Sequence, residues 1–161
     1  MSQSILKVLL SMLFALCATG TFAQMPNPYG APISLENAKK AAAAAAAEAR
    51  KNNWNMAIAV TDAGGDLVYL EKMDATQTGS VKVAIGKANS AAMFKRPTKV
   101  IQDVVASGGG GLRILGLEGA VPLDGGLPIV MDGKIVGAIG VSGAAGDQDA
   151  QCAKAGVDTL K

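Results

Sequence analysis

The sequence predicts an α+β domain built on a central antiparallel sheet of about five strands. Two observations carry this. Val60-Thr61-Asp62-Ala63-Gly64-Gly65-Asp66-Leu67-Val68 reads strand, tight turn, strand, and Leu127 to Gly140 repeats that layout around Asp132-Gly133. Hairpins pair antiparallel neighbours, so the helical segments between and around them must pack on the sheet instead of crossing over between parallel strands.

The elements follow in order. Met1 to Lys7 carries one charge, Lys7; Val8 to Ala18 is apolar; and Thr21-Phe22-Ala23 places small residues at the −3 and −1 positions of a cleavage site. Residues 1–23 are therefore expected to be a signal peptide, cut near Ala23, and the mature protein to be periplasmic or secreted. The apolar run is too short for a membrane span, which needs about 20 residues. Residues 24–33 hold three prolines and Gly30, and read as an extended arm in which Tyr29 is an anchor. The domain proper is expected over 34–161.

Ser34 is an N-cap candidate for a helix to about Lys51, whose middle, Ala41 to Ala47, repeats the best helix former. Such an alanine seam suits close packing on a sheet or a subunit. Strands are expected over 56–61 and 66–72, with a loop to Gly79. A second helix runs from Ser80 to Phe94, with Val83, Ala84, Ala88, Ala91 and Ala92 on one face. Arg96-Pro97 ends it, and Thr98 is expected to cap a short helix to about Ala106. Ser107 to Gly111 is a glycine break. Leu112 to Leu117 is expected to be a strand, the fifth with those of the two hairpins. Asp147 is the expected N-cap of a last helix, Gln148 to Leu160.

Composition removes several chemistries. The 161 residues include no histidine. That excludes a Ser-His-Asp triad, a zinc held by histidine and a haem with a proximal histidine. Beyond residue 23 there are 14 basic and 13 acidic residues with no basic run, so nothing points to nucleic acid. Cys152 is the one cysteine left there, which rules out an internal disulfide and suits a small packed residue. Most aspartates fall in turns and caps. Asp147-Gln148-Asp149 lacks the glycine and closing glutamate of a calcium loop. Gly137-Ala138-Ile139-Gly140-Val141-Ser142-Gly143 has the wrong spacing and context for a dinucleotide site. Its backbone N–H groups, from Ser142 to Asp147 ahead of a helix, could still hold a carboxylate or propionate. Lys82, Lys87, Lys95 and Arg96 form a basic set that reads either as a solvated face or as the rim of an alanine-lined groove for a flat anion, with Met73 and Met93 as soft neighbours.

Val60 to Val68, Lys72-Met73-Asp74-Ala75, Lys87-Ala88-Asn89-Ser90-Ala91-Ala92, Arg96-Pro97-Thr98, Gly125-Gly126-Leu127-Pro128-Ile129 and Gly137 to Gly143 through Asp149 stand in one family's order. Over Ile33 to Leu160 the chain resembles the GlcG/HbpS-like family, which is similar to the C-terminal domain of PduO-type proteins. The resemblance implies a profilin-like sandwich, homo-oligomers, and haem binding with storage or oxidative degradation. It also leaves two alternatives: an accessory protein or enzyme acting on a small organic acid or corrinoid, with Asp62, Asp66 or Lys87 moving protons, and an oligomeric sensor or interaction module. Carried over by position, Ser90 is the haem-proximal hydroxyl of a Lys-Ala-x-Ser motif, Lys87 and Arg96 pair with propionates, and Met93 and Met73 complete the expected site. With no histidine, iron would be left to Met73, Met93, Tyr29, Tyr69, a lysine, a hydroxyl or water.

Overall fold

A computed structural model describes residues 27–160. The expected signal peptide and residues 24–26 lie outside the described residues. Nine elements are described: α1 (Leu35–Lys51), β1 (Ala57–Asp62), β2 (Leu67–Lys72), α2 (Ser80–Met93), α3 (Thr98–Ala106), a 3₁₀-helix (Gly109–Gly116), β3 (Gly126–Met131), β4 (Lys134–Ser142) and α4 (Gly146–Asp158). The strands form one sheet in the order β2-β1-β4-β3, with every pair antiparallel. The α+β class stands, with four strands among the described residues.

Both hairpin turns close for the expected reason. Asp62 Oδ1 accepts from Gly64 N at 2.8 Å and from Asp66 N at 3.0 Å, and Gly65 takes a positive φ of 91°. Asp132 and Gly133 both lie at positive φ, 50° and 70°, as a two-residue hairpin loop of the primed kind requires.

Strand parity divides the sheet into two faces. Ile58 and Val60 of β1 and Ile139 and Val141 of β4 point to α1 and α4, where they share a core with Ala38, Ala41, Ala42, Ala45, Ala46 and Ala49. Ala57 and Ala59 point the other way and meet Ala84 and Ala88 of α2. Ala138 meets Ala91 and Ala92 on that same face. The alanine seam of α1 thus faces the sheet and α4, and the alanine face of α2 is filled by the sheet, so it is not a groove. Cys152 is fully buried among the α1-side residues, and desolvation pushes its thiol up to about 11, as befits an inert packed cysteine.

Three expectations change. The segment 112–117 is helical, not a strand. Its apolar residues recur at three-residue spacing instead of alternating; the coil opens with Gly111 N donating to Gly108 O at 2.9 Å and packs on α3. Leu112, Leu115 and Leu117 stay exposed there. Thr98 does not cap α3 but lies in its first turn, fully buried, and its Oγ1 accepts from Gly126 N at 2.9 Å, tying α3 to β3. Nor does Asp147 cap α4, which starts at Gly146. Gln148 Oε1 reaches back to accept from Ala145 N at 3.2 Å, and Asp149 Oδ1 accepts from Ala144 N at 3.1 Å, so side chains inside the helix secure its entry.

Glycine sets how closely α2 lies on β4. A Cβ added at Gly140 would stand 2.1 Å from Ala84 O and 2.5 Å from Ala88 N, both backbone atoms that cannot yield without moving the helix. Replacing Gly140 with alanine is expected to cost about 3 kcal/mol of unfolding free energy in urea titration, the upper end of overpacking penalties. Gly110→Ala, where an added methyl meets nothing within 4 Å, should be nearly neutral.

Candidate functional site

Lys87 is the least expected residue of the chain. It sits midway along α2 and is 2% exposed. Its Nζ donates to Asp149 Oδ2 at 2.7 Å and to Val141 O at 2.9 Å. One ammonium therefore ties α2 to β4 and to the start of α4. Burial pushes the Asp149 carboxyl above the usual carboxylate range, and the Lys87 hydrogen bond and charge pull it back. Two of the three ammonium protons are thus spent inside the protein, which sets Lys87 apart from the solvent-facing cations expected to meet propionates.

The other expected site residues do not gather around it. Ser90 is fully buried, and its Oγ accepts from Val121 N at 3.1 Å, holding the loop that leads to β3. The hydroxyl is structural in this geometry, because helical spacing turns Ser90 with Lys87 towards the interior. Met73 follows β2 and packs against the core on the α1 side, beside Arg50, Asn55 and Asp74. It is remote from Met93, which ends α2 on the other face of the sheet.

Met93 gathers with two residues of the sequence reading, Tyr29 and Lys95, and Arg96 follows Lys95 in the chain. The arm from Pro28 runs along the edge of β4, where Ile135 N donates to Pro28 O and Gly30 N donates to Ile135 O, both at 2.8 Å. This brings the Tyr29 hydroxyl to 3.0 Å from the carbonyl oxygens of Ala92 and Met93. Lys95, held at a positive φ of 55°, places its ammonium 4.1 Å from the centre of the Tyr29 ring. Arg96 is exposed and gives only its Nε to Phe94 O, leaving the outer guanidinium N–H groups without partners among the described residues. Met93 is 47% exposed. Tyr29, Ala63, Gly64 and Met93 line a shallow apolar shelf of about 430 Å³. Ala63 and Gly64, missed in the sequence, enter because the β1–β2 turn lies against the end of α2: Asn89 Nδ2 donates to Gly65 O at 3.1 Å.

A second concavity, of about 460 Å³, opens near the other end of α2. Lys87 and Asp149 form part of its wall, with Ser142 and the first turn of α4. The glycine-rich stretch before a helix was the signal for it in the sequence. Asp149, the partner of Lys87, carried no such signal, because a pairing across 62 residues leaves no local pattern.

Comparison with known proteins agrees with this architecture. Residues 33–158 match the model of the family described as haem degrading protein HbpS-like. Protein GlcG of Escherichia coli K12 is 41% identical over 110 residues, covering 68% of this chain and 81% of that protein. An uncharacterised 15.0 kDa protein of Citrobacter freundii is 35% identical over 130 residues, covering 80% and 92%. Among solved structures, that of HbpS superposes with a TM-score of 0.76 at 32% identity, over 82% of this chain and 92% of that one.

The central tie can be tested by denaturation. Lys87→Met or Asp149→Asn alone should cost about 3–5 kcal/mol, because each leaves a buried partner uncompensated, whereas Lys87→Met with Asp149→Leu should recover most of the loss. With the hairpins, the motifs along α2 and these matches in agreement, the chain belongs to the haem-degrading HbpS-like family.

Proposed function

We propose that this is an exported haem-binding protein that holds the porphyrin on the shelf between Tyr29 and Met93. The observation that carries this reading is the placing of an apolar floor beside the Lys95 ammonium, with a second cation, Arg96, exposed next in the chain. Haem is a flat apolar ring with two carboxylates on one edge. Ala63, Gly64, the Tyr29 ring and Met93 offer the ring a dry surface; the Lys95 ammonium stands at the Tyr29 ring, and the exposed Arg96 follows it in the chain, for the carboxylates. The membership of a family described as haem-degrading supports it.

The residues fit the group in a particular way. The Tyr29 hydroxyl is engaged by two carbonyl groups, so the half-exposed Met93 thioether is the donor the shelf offers to iron. Bound haem would supply iron redox chemistry. The chain's part is to seat the ring, pair its carboxylates and leave its outer face open. That openness suits storage, and it also leaves the ring accessible to an oxidant for breakdown.

Export rests on residues 1–23, and mass spectrometry of the secreted protein should find Gln24 at its start. Homo-oligomer formation is part of the proposal. The exposed Leu112, Leu115 and Leu117, with Val100 and Val104 of α3, give an apolar surface suited to a subunit contact, and sedimentation velocity would show it. No helix among the described residues is long and apolar enough to cross a membrane.

Haemin titration followed at the Soret band should saturate. Met93→Ala and Arg96→Ala should each weaken it about tenfold, the loss of roughly one charged hydrogen bond or ligand contact. Met73→Ala should not change it. Adding ascorbate or peroxide to the complex then separates holding haem, where the band persists, from degrading it, where the band decays. A flat titration would contradict the proposal.

A further inference from the structure

The shelf lies at the C-terminal end of α2. Val83, ten residues earlier and so about 15 Å back along the helix, lines the second cleft. Nothing in the haem reading uses this cleft, and its lining is of another kind.

Three sets of unpartnered donors face it. Ser142 is 5% exposed, and its hydroxyl makes no hydrogen bond among the described residues. Strand parity turns that side chain towards α2, as it does Ala138 and Gly140, and so into the cleft that Val83 and Lys87 line. The Lys87 ammonium has three protons and uses two of them. At the start of α4 the first N–H with a partner is that of Asp149, so those of Gly146, Asp147 and Gln148 remain open, and Gly146 and Asp147 line the cleft. The Ser142 hydroxyl and the spare Lys87 proton both face the cleft, where the acceptor atoms of a ligand can reach them.

Carboxylates stand beside these donors. Asp147, exposed, makes no hydrogen bond or ion pair among the described residues. Asp124 commits one oxygen, Oδ1, to Gly125 N at 2.7 Å. The Lys87 charge is already balanced by Asp149, and Lys99 is turned to Asp103. A simple anion would satisfy the donors but be repelled by Asp124 and Asp147. A simple cation would suit those two and leave the donors open. One molecule carrying both charges on neighbouring atoms satisfies both.

We infer that this cleft binds a small zwitterion of the α-amino acid class. Its carboxylate meets Ser142, the spare Lys87 proton and the start of α4; its ammonium meets Asp147 and Asp124; and Val83 and Leu123 offer apolar contact to a side chain.

The test is calorimetric titration of the full chain with each of the twenty common L-amino acids. The tightest is then compared with its deamino carboxylate and its decarboxylated amine. The inference predicts saturable binding of at least one amino acid, with each half-ligand at least tenfold weaker. Ser142→Ala should weaken the amino acid at least threefold. Asp147→Asn, at an exposed position that cannot disturb the core, should weaken the amino acid but not the deamino carboxylate. If none of the twenty saturates, or if a half-ligand binds as tightly as the amino acid, the inference is overturned. The Soret titration at the shelf reads a different site, so failure of one is distinguishable from failure of the other.

Discussion

One buried ion pair organises the chemistry of this molecule. Lys87 lies on α2, Asp149 in the first turn of α4 and Val141 on β4, and the ammonium joins all three. Two charges out of water need close geometry and further hydrogen bonds to be tolerated. Both are present: the pair distance is 2.7 Å, Val141 O takes a second lysine proton, and Ala144 N serves the other carboxylate oxygen. The pair fixes the angle at which α4 leaves the sheet. It also removes Lys87 from the solvent-facing cations, and Lys87 lines the second cleft and not the shelf.

Much of the fold was legible because its signals are local. Asp62 to Gly65 and Asp132-Gly133 carry turn chemistry within four residues, and the alanines of α1 and α2 carry helical periodicity. The misreadings share a cause. The apolar content of 112–117 suits a strand, and only its three-residue spacing points to the 3₁₀ coil. Thr98 and Asp147 have the residue type of caps, but residue type carries no trace of the distant group that claims the side chain or the helix start. Thr98 is claimed by Gly126, and the start of α4 by Gln148 and Asp149.

The candidate site was legible only in part, for the same reason. Met93 and Arg96 fall where a ligand can reach them, and the basic set named in the sequence includes Lys95. Lys87 and Ser90, which define the motif most strongly in one dimension, turn inward to Asp149 and Val121. Met73 is carried to the other side of the sheet. A motif can thus mark a family through residues that hold its frame together, while the atoms exposed on the shelf come from the arm, the β1–β2 turn and the end of α2. The two ends of α2 then serve separate surfaces, an apolar shelf with cations beside it and a polar cleft with charges of both signs.

Lys87 belongs to the frame, and the proposed seat of the porphyrin is at Met93. Nuclear magnetic resonance of the protein, with methionine methyl groups and backbone amides labelled, tests this directly with gallium protoporphyrin as a diamagnetic stand-in for haem. The account predicts that the Met93 methyl and the Ala63 and Gly64 amides shift on addition, while the Met73 methyl and the Val141 and Ala144 amides beside the ion pair stay in place. Shifts centred on Val141 and Ala144, with Met93 silent, would contradict it.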